Sequence, residues 1–215
     1  MNKNIFLANE GDNYFIRNRS KFRRNFPELK ALLQYLDGQE IKTFLDIGCS
    51  DGKNTKILAR KMGADGYGID PSSLAIKKAS QFNFYNLSKL LNRSRTNYRI
   101  GTADCLPFQS HYFDLIYFSF SLYLVDRTLL SESLFESNRC LKPGGFIAIK
   151  DFDYGVSKVN DYRHSSGVKS FKDDYSEYFL RLGYKLVCKE SYKKEKIGFE
   201  SNPDDRVGFW LLYKP

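Results

Sequence analysis

Phe44-Leu45-Asp46-Ile47-Gly48-Cys49-Ser50-Asp51-Gly52 is the stretch on which the fold turns. Residues 43–47 are a short apolar run, residues 53–62 carry helical spacing, and a glycine-rich turn joins them. A strand therefore hands over to a helix here. In open α/β sheets such handovers bind ligands. Small residues at Gly48, Ser50 and Gly52 let backbone approach a ligand closely, where a larger side chain would obstruct it. Eighteen residues beyond Gly52 a second short strand, 66–69, runs into Asp70. A carboxylate at that place can accept both hydroxyl hydrogens of a ribose.

Working outward, strands and helices alternate. Leu29, Leu32, Leu33 and Leu36 recur at helical spacing behind Pro27, a residue suited to a first helical position, and Asp37-Gly38 ends the run. Pro71-Ser72-Ser73 opens a helix with Ala75 and Ala79 on one face, and strands follow at 98–100 and 113–118. Leu130, Leu134 and Leu141 mark a helix face that stops at Lys142-Pro143-Gly144-Gly145. After a strand at 146–150, Phe171, Tyr175, Tyr178, Phe179 and Leu182 form a helical stripe ahead of Gly183. The segment 160–167, which holds His164, reads as irregular and polar. Strands at 185–189 and 207–213 close the chain with no helix between them. The alternation predicts an α/β fold: a Rossmann-like, doubly wound, mostly parallel sheet of seven strands, with one antiparallel strand near the C-terminus. Residues 1–38 read as an N-terminal lid and helix, and residues 39–215 as the ligand-binding domain of the same globular unit.

The chain has 215 residues, 42% of them hydrophobic and 16% aromatic, enough to bury a core and too much for a disordered chain. Its longest apolar runs fall far short of the roughly 20 residues that span a bilayer. The N-terminus shows no apolar secretory core, so the expectation is a cytoplasmic protein without membrane partners. Cys49, Cys105, Cys140 and Cys188 are widely spaced and only His111 and His164 accompany them, so no metal-ligand set is expected. Lys and Arg number 34 against 25 Asp and Glu, a net charge of +9 that favours anionic partners. The densest basic run is Arg17, Arg19, Lys21, Arg23 and Arg24.

The turn does not suit a dinucleotide. That fingerprint wants glycine where Ser50 and Lys53 stand. Asp46, just ahead of the turn, would repel a pyrophosphate and attract an amino group or a sulfonium. The pattern points to a nucleoside carrying an amino-acid end.

At this point the chain resembles a family. Asp46-Ile-Gly-Cys-Ser-Asp-Gly52, the acid Asp70, Leu106-Pro107-Phe108 ahead of Phe113-Asp114-Leu115-Ile116, and Leu141-Lys-Pro-Gly-Gly145 are similar to the class I S-adenosylmethionine-dependent methyltransferases, in the branch of the ubiquinone- and menaquinone-type small-molecule enzymes. The resemblance covers about residues 40–152. It implies S-adenosylmethionine as cofactor, S-adenosylhomocysteine as product, and no metal. It also implies that Asp46 and the backbone of Gly48 meet the methionine moiety, with Cys49, Ser50 and Gly52 completing that turn. Asp70, followed by Pro71, would hold the ribose, and Thr102, Ala103 and Asp104 would border the adenine. Phe118 and Ser119 would follow the fourth strand beneath the sulfonium. The family usually has an acid where Thr102 stands, so the adenine-amino contact is open between Thr102, Asp104 and backbone.

Methyl transfer in line from a sulfonium needs mainly alignment, and a hydroxyl acceptor is helped by a base. His164 and Tyr14 are the candidate catalytic residues, with Tyr123, Asp151, Asp153 and Tyr162 also placed past the strand ends. The N-terminal piece around Asn9–Asn18 resembles the lid of such enzymes and the start of methyltransferases in sugar and surface-polysaccharide pathways. On that reading Arg17 lies near a carboxylate or an anionic acceptor and is one of the cofactor-binding residues, and the substrate is a small molecule: an anionic or nucleotide-linked sugar, or another biosynthetic intermediate, methylated on O or N. RNA methylation is the alternative that net charge keeps open. Its signatures are missing: Phe118-Ser-Phe-Ser121 stands where an Asn/Asp-Pro-Pro-aromatic set would, and only Lys150 and Glu190 match a Lys-Asp-Lys-Glu set. A non-catalytic cofactor- or partner-binding member is the third alternative, and the intact Asp46, Gly48, Gly52 and Asp70 weigh against it.

Overall fold

The computed structural model describes residues 5–19, 27–84, 94–193 and 198–215. A π-helical turn, Phe6–Glu10, runs into α1 (Gly11–Asn18), and α2 (Pro27–Tyr35) precedes the sheet. Then come β1 (Thr43–Ile47), α3 (Lys53–Met62), β2 (Asp65–Asp70), α4 (Ser73–Phe84), β3 (Thr96–Ile100) and β4 (Phe113–Ser119). After a 3-10 turn at Leu122–Leu124, α5 (Arg127–Cys140) leads into β5 (Leu141–Phe152). The chain finishes with β6 (Lys158–Asp161), β7 (Lys169–Lys172), α6 (Ser176–Arg181), β8 (Lys185–Lys193) and β9 (Arg206–Tyr213). Lys21, Arg23 and Arg24 of the basic run lie outside the described residues.

Seven strands form one sheet in the order β3-β2-β1-β4-β5-β9-β8. Strands β1 to β5 are parallel, and β9 runs antiparallel to both its neighbours, β5 and β8. The architecture is the doubly wound, mostly parallel one that the alternation predicts, with its single antiparallel strand near the C-terminus. Strand β9 lies between β5 and the edge strand β8, and Val207, Phe209, Trp210, Leu211 and Leu212 are all fully buried, as befits a strand covered on both faces. One face packs Leu29 and Leu32 of α2 and Leu58 of α3 on Phe44, Tyr117 and Phe209. The other packs Leu130 and Leu134 of α5 and Phe179 of α6 on Leu45, Ile116, Ile147 and Trp210. Winding reverses between β1 and β4, so a crevice opens beyond their C-terminal ends.

Three elements depart from the pattern reading. Strand β5 begins at Leu141, not 146, because Leu141 pairs with Phe113 before a register shift and Gly144 N–H donates to Lys214 O at 2.8 Å. The stripe from Phe171 is a strand end followed by the short α6, since Phe171 pairs with Val159 across a two-stranded ribbon, β6–β7. That ribbon includes Asn160 and Asp161 of the segment read as irregular. Among the described residues no helix is long and apolar enough to cross a membrane.

Candidate active site

The turns after β1 and β4 touch. Gly48 has φ +80°, and a Cβ on it would lie 2.6 Å from Cβ of Ser121, so a larger residue is excluded on both counts. Ser121 Oγ donates to Ile47 O at 3.0 Å, while the N–H groups of Gly48 and Cys49 donate to Ile69 O at 2.9 and 3.1 Å. These bonds fix the start of α3 against the ends of β2 and β4.

Asp70 ends β2 at the rim of the cleft. Its Oδ2 accepts from Ser50 N–H and its Oδ1 from Ser72 N–H, both at 2.8 Å. Each carboxylate oxygen keeps acceptor capacity beyond one bond, so two further hydroxyls can be held. Burial pushes the carboxyl up to about 6, and the charges of Asp12 and Asp51 push the same way.

Asp46 sits behind the wall rather than on it. It is fully buried beneath α3, where Thr55 Oγ1 donates to its Oδ2 at 2.7 Å, and its Oδ1 is buried without a hydrogen-bond partner. Burial pushes this carboxyl up to about 7.

One cleft joins these parts. Gly48, Asp70, Pro71, Thr102, Ala103 and Asp104 line one side, Phe120, Ser121, Leu124, Val125 and Asp126 another, and Phe6, Gly11 and Tyr14 of the N-terminal segment cover it. Val168 and Lys169 of the β6–β7 ribbon complete the wall. The cleft they form is open to solvent on part of its surface.

The structure brings Tyr14, Gly48, Asp70, Pro71, Thr102, Ala103 and Asp104 together and sets other expected residues elsewhere. Cys49 turns its sulfur against Gly68, Ser50 contributes its N–H to Asp70, and Gly52, at φ +70°, starts α3 against the ring of Tyr98. Phe118 and Ser119 are not among the residues that line the cleft. Strand β4 runs through Ser119, its alternation buries Phe118 in the core, and Ser119 Oγ is held by Asn54 Nδ2 at 3.1 Å. Phe120 and Ser121, one step further, line the wall.

Phe120 was not legible in the pattern. It adopts φ +60°, a conformation that bulky residues avoid and that clusters at functional sites. Its ring packs 5.1 Å from Tyr123 and 5.0 Å from Phe152. Tyr123 OH donates to Tyr14 OH at 3.3 Å, and burial holds the Tyr123 phenol well above its ordinary pKa. Asp151 is fully buried and accepts from Tyr123 N–H at 3.1 Å and Phe152 N–H at 2.8 Å, so it holds the turn after β4 rather than facing the cleft.

Arg17 and His164 also stand off the cleft wall. Arg17 is bound by the buried Glu10 and, at 3.0 Å, by Tyr162 Oη, which clasps α1 to the β6–β7 ribbon. The Arg17 Nε is buried without a hydrogen-bond partner. His164 is exposed in the ribbon's turn, edge-on to Tyr162 at 5.4 Å, and is not on the cleft wall. Among the described residues no group of three or more His, Cys, Asp or Glu side chains gathers as a metal site.

A doubly wound sheet with a glycine turn after its first strand and a carboxylate ending its second defines a nucleoside-binding α/β protein. The comparisons narrow the class. A family model described as a methyltransferase domain matches residues 45–149. The chain is 32% identical over 114 residues to a protein of Synechocystis sp. named as an uncharacterized methyltransferase, covering 53% of this chain and 47% of that one. It is 29% identical over 130 residues to the ubiquinone/menaquinone biosynthesis C-methyltransferase UbiE of Francisella tularensis subsp. novicida, covering 58% and 48%. The chain thus spans about half the length of the curated relatives it matches. Among solved structures it superposes on a SAM-dependent methyltransferase from Methanosarcina mazei with a TM-score of 0.66 at 20% identity, covering 88% of this chain and 98% of that one. A Burkholderia thailandensis 1,6-didemethyltoxoflavin-N1-methyltransferase, solved with 1,6-didemethyltoxoflavin and S-adenosylhomocysteine, gives 0.72 at 14% identity, covering 97% and 87%. Residues 45–149 thus match a methyltransferase domain, and the fold is one that solved S-adenosylmethionine-dependent methyltransferases share.

Proposed function

We propose that the protein is an S-adenosylmethionine-dependent methyltransferase that acts on a small molecule at oxygen or nitrogen. The observation that carries this reading is Asp70, a carboxylate held by two backbone N–H groups at the rim of one cleft with the Gly48 turn. When bound, S-adenosylmethionine supplies an electrophilic methyl group. Asp70 would anchor the ribose, the backbone at Gly48 would admit the methionine end, and Thr102, Ala103 and Asp104 would border the adenine. The lid segment would exclude water and seat the acceptor. Tyr14, holding Tyr123's hydroxyl hydrogen, keeps its own O–H for the acceptor, which makes it the better placed of the two candidate catalytic residues.

The walls favour an uncharged acceptor over the anionic one that net charge suggests. Arg17 is engaged by Glu10 and Tyr162, Lys169 pairs with Asp161 at 2.6 Å, and Asp70, Asp104 and Asp126 put negative charge on the wall. The RNA alternative also loses support, because Lys150 is buried in an ion pair with Glu28 of α2. Incubation with methyl-labelled S-adenosylmethionine, a metabolite extract and bulk RNA tests the reading. Label should appear in the small-molecule fraction, and RNA binding should be weak and lost steeply as salt rises. Label at a defined RNA position would replace the reading with RNA methylation. S-adenosylhomocysteine binding without transfer to either pool would favour the non-catalytic alternative.

A further inference from the structure

Helix α4 begins at Ser73, and the N–H groups of a first helical turn have no partner within their own helix. Here the partner comes from α1. Asp12 Oδ1 accepts from Ser72 Oγ at 2.7 Å and from Leu74 N–H at 3.0 Å, and its Oδ2 accepts from Ser73 Oγ at 3.0 Å. The capping residue is thus some sixty positions away in sequence from the helix it caps.

Ser72 stands between two carboxylates. Its N–H donates to Asp70 Oδ1 at 2.8 Å, its Oγ donates to Asp12, and the same Oγ accepts from Ala75 N–H at 3.0 Å. The Ser72 side chain is buried. Gly11 allows the approach: a Cβ there would lie 3.0 Å from Ser72 N and 2.6 Å from Phe6 O. Phe15, one turn on, is buried with the Lys78 ammonium 5.5 Å from its ring centre. The segment that carries Asp12 also supplies Phe6, Gly11 and Tyr14 to the cleft that Asp70 lines.

We propose that Asp12 is a positioning residue of the cofactor site: it fixes Ser72, and through the Ser72 amide it fixes the carboxylate of Asp70. The N-terminal segment is then part of the ribose pocket and not only its cover. The inference rests on reading the cleft as the S-adenosylmethionine site. If Asp12 merely fastened α1, its removal would weaken binding by the same factor whether or not Asp70 is present. If it acts through Asp70, the two effects are coupled.

A double-mutant cycle on the full chain separates these cases, with S-adenosylhomocysteine titrated calorimetrically into wild type, Asp12→Ala, Asp70→Ala and the double variant. Asp12→Ala should weaken binding about tenfold, the scale of one charge-assisted bond. In the Asp70→Ala background the same change should cost no more than about twofold. Asp12→Asn removes the charge but keeps an oxygen for Ser72 and Leu74, so it should recover most of the affinity. It also covers the case in which Asp12→Ala fails to fold. Equal factors in the two backgrounds would overturn the proposal, as would Asp12→Ala binding like wild type or Asp12→Asn binding as poorly as Asp12→Ala. A wild-type protein that binds no S-adenosylhomocysteine would instead refute the cofactor reading, and this inference with it.

Discussion

Replacing Asp70 by Ala should weaken S-adenosylhomocysteine binding roughly ten- to a hundredfold with the sheet intact. A hydrogen bond to a charged group contributes about 1.5–3 kcal/mol, and each 1.4 kcal/mol is about tenfold in affinity. The variant removes the proposed ribose anchor and also leaves the Ser50 and Ser72 N–H groups without their acceptor, so circular dichroism and urea titration of the variant separate lost binding from lost stability. Affinity should also depend on pH in a defined window. Burial, with Asp12 and Asp51 nearby, raises the Asp70 carboxyl to about 6 in the free protein. Ribose hydroxyls favour the ionised form, so binding should be flat above about pH 7 and fall as pH drops below 6, by up to about tenfold per unit. Asp46, raised to about 7, titrates in an overlapping range, so Asp70→Asn is the control. The slope below pH 6 should vanish in that variant. Unchanged affinity in Asp70→Ala would put the ribose elsewhere.

Lys150→Met should cost about 3–5 kcal/mol of folding stability, because it leaves a buried carboxylate without its counter-ion. Glu28 is fully inaccessible to solvent, its Oε1 is paired with Lys150, and its Oε2 has no hydrogen bond. The pair ties α2 to β5 across the face opposite α5. Replacing both members by apolar residues, Glu28→Leu with Lys150→Met, should restore most of the loss, since a buried ion pair is about as stable as a well-packed apolar one. Urea titration measures both. A single variant as stable as wild type would mean that water reaches Glu28.

How much of this was legible depended on whether a residue's fate was decided by its neighbours in sequence. Helix α3 matches its expected bounds, 53–62, because Gly52 and Gly63, both at positive φ, bracket a locally consistent run. Asp70 and Gly48 were legible for the same reason: strand, turn and helix follow one another within thirty residues. The β6–β7 ribbon was not. Its strands are polar, with Val159 and Phe171 their apolar members, and they are held by Lys169 on Asp161 and by Lys158 and Lys172 on the distant Asp204. No periodicity announces such pairs. Arg17 misled through its basic neighbours, since nothing local shows that Glu10 and Tyr162 bind its guanidinium. Phe120 is the sharpest case. An aromatic at φ +60° is set by the strand pairing of Phe120 N–H with Lys150 O at 2.8 Å and by the Tyr123 and Phe152 rings, all of them tertiary.

A crystal structure of the full chain with S-adenosylhomocysteine tests directly whether this cleft is the cofactor site. Both ribose hydroxyls should lie within hydrogen-bond distance of Asp70, the homocysteine end over the Gly48 turn, and the adenine beside Ala103. Adenosine bound away from Asp70, or an empty cleft at saturating ligand, would contradict it.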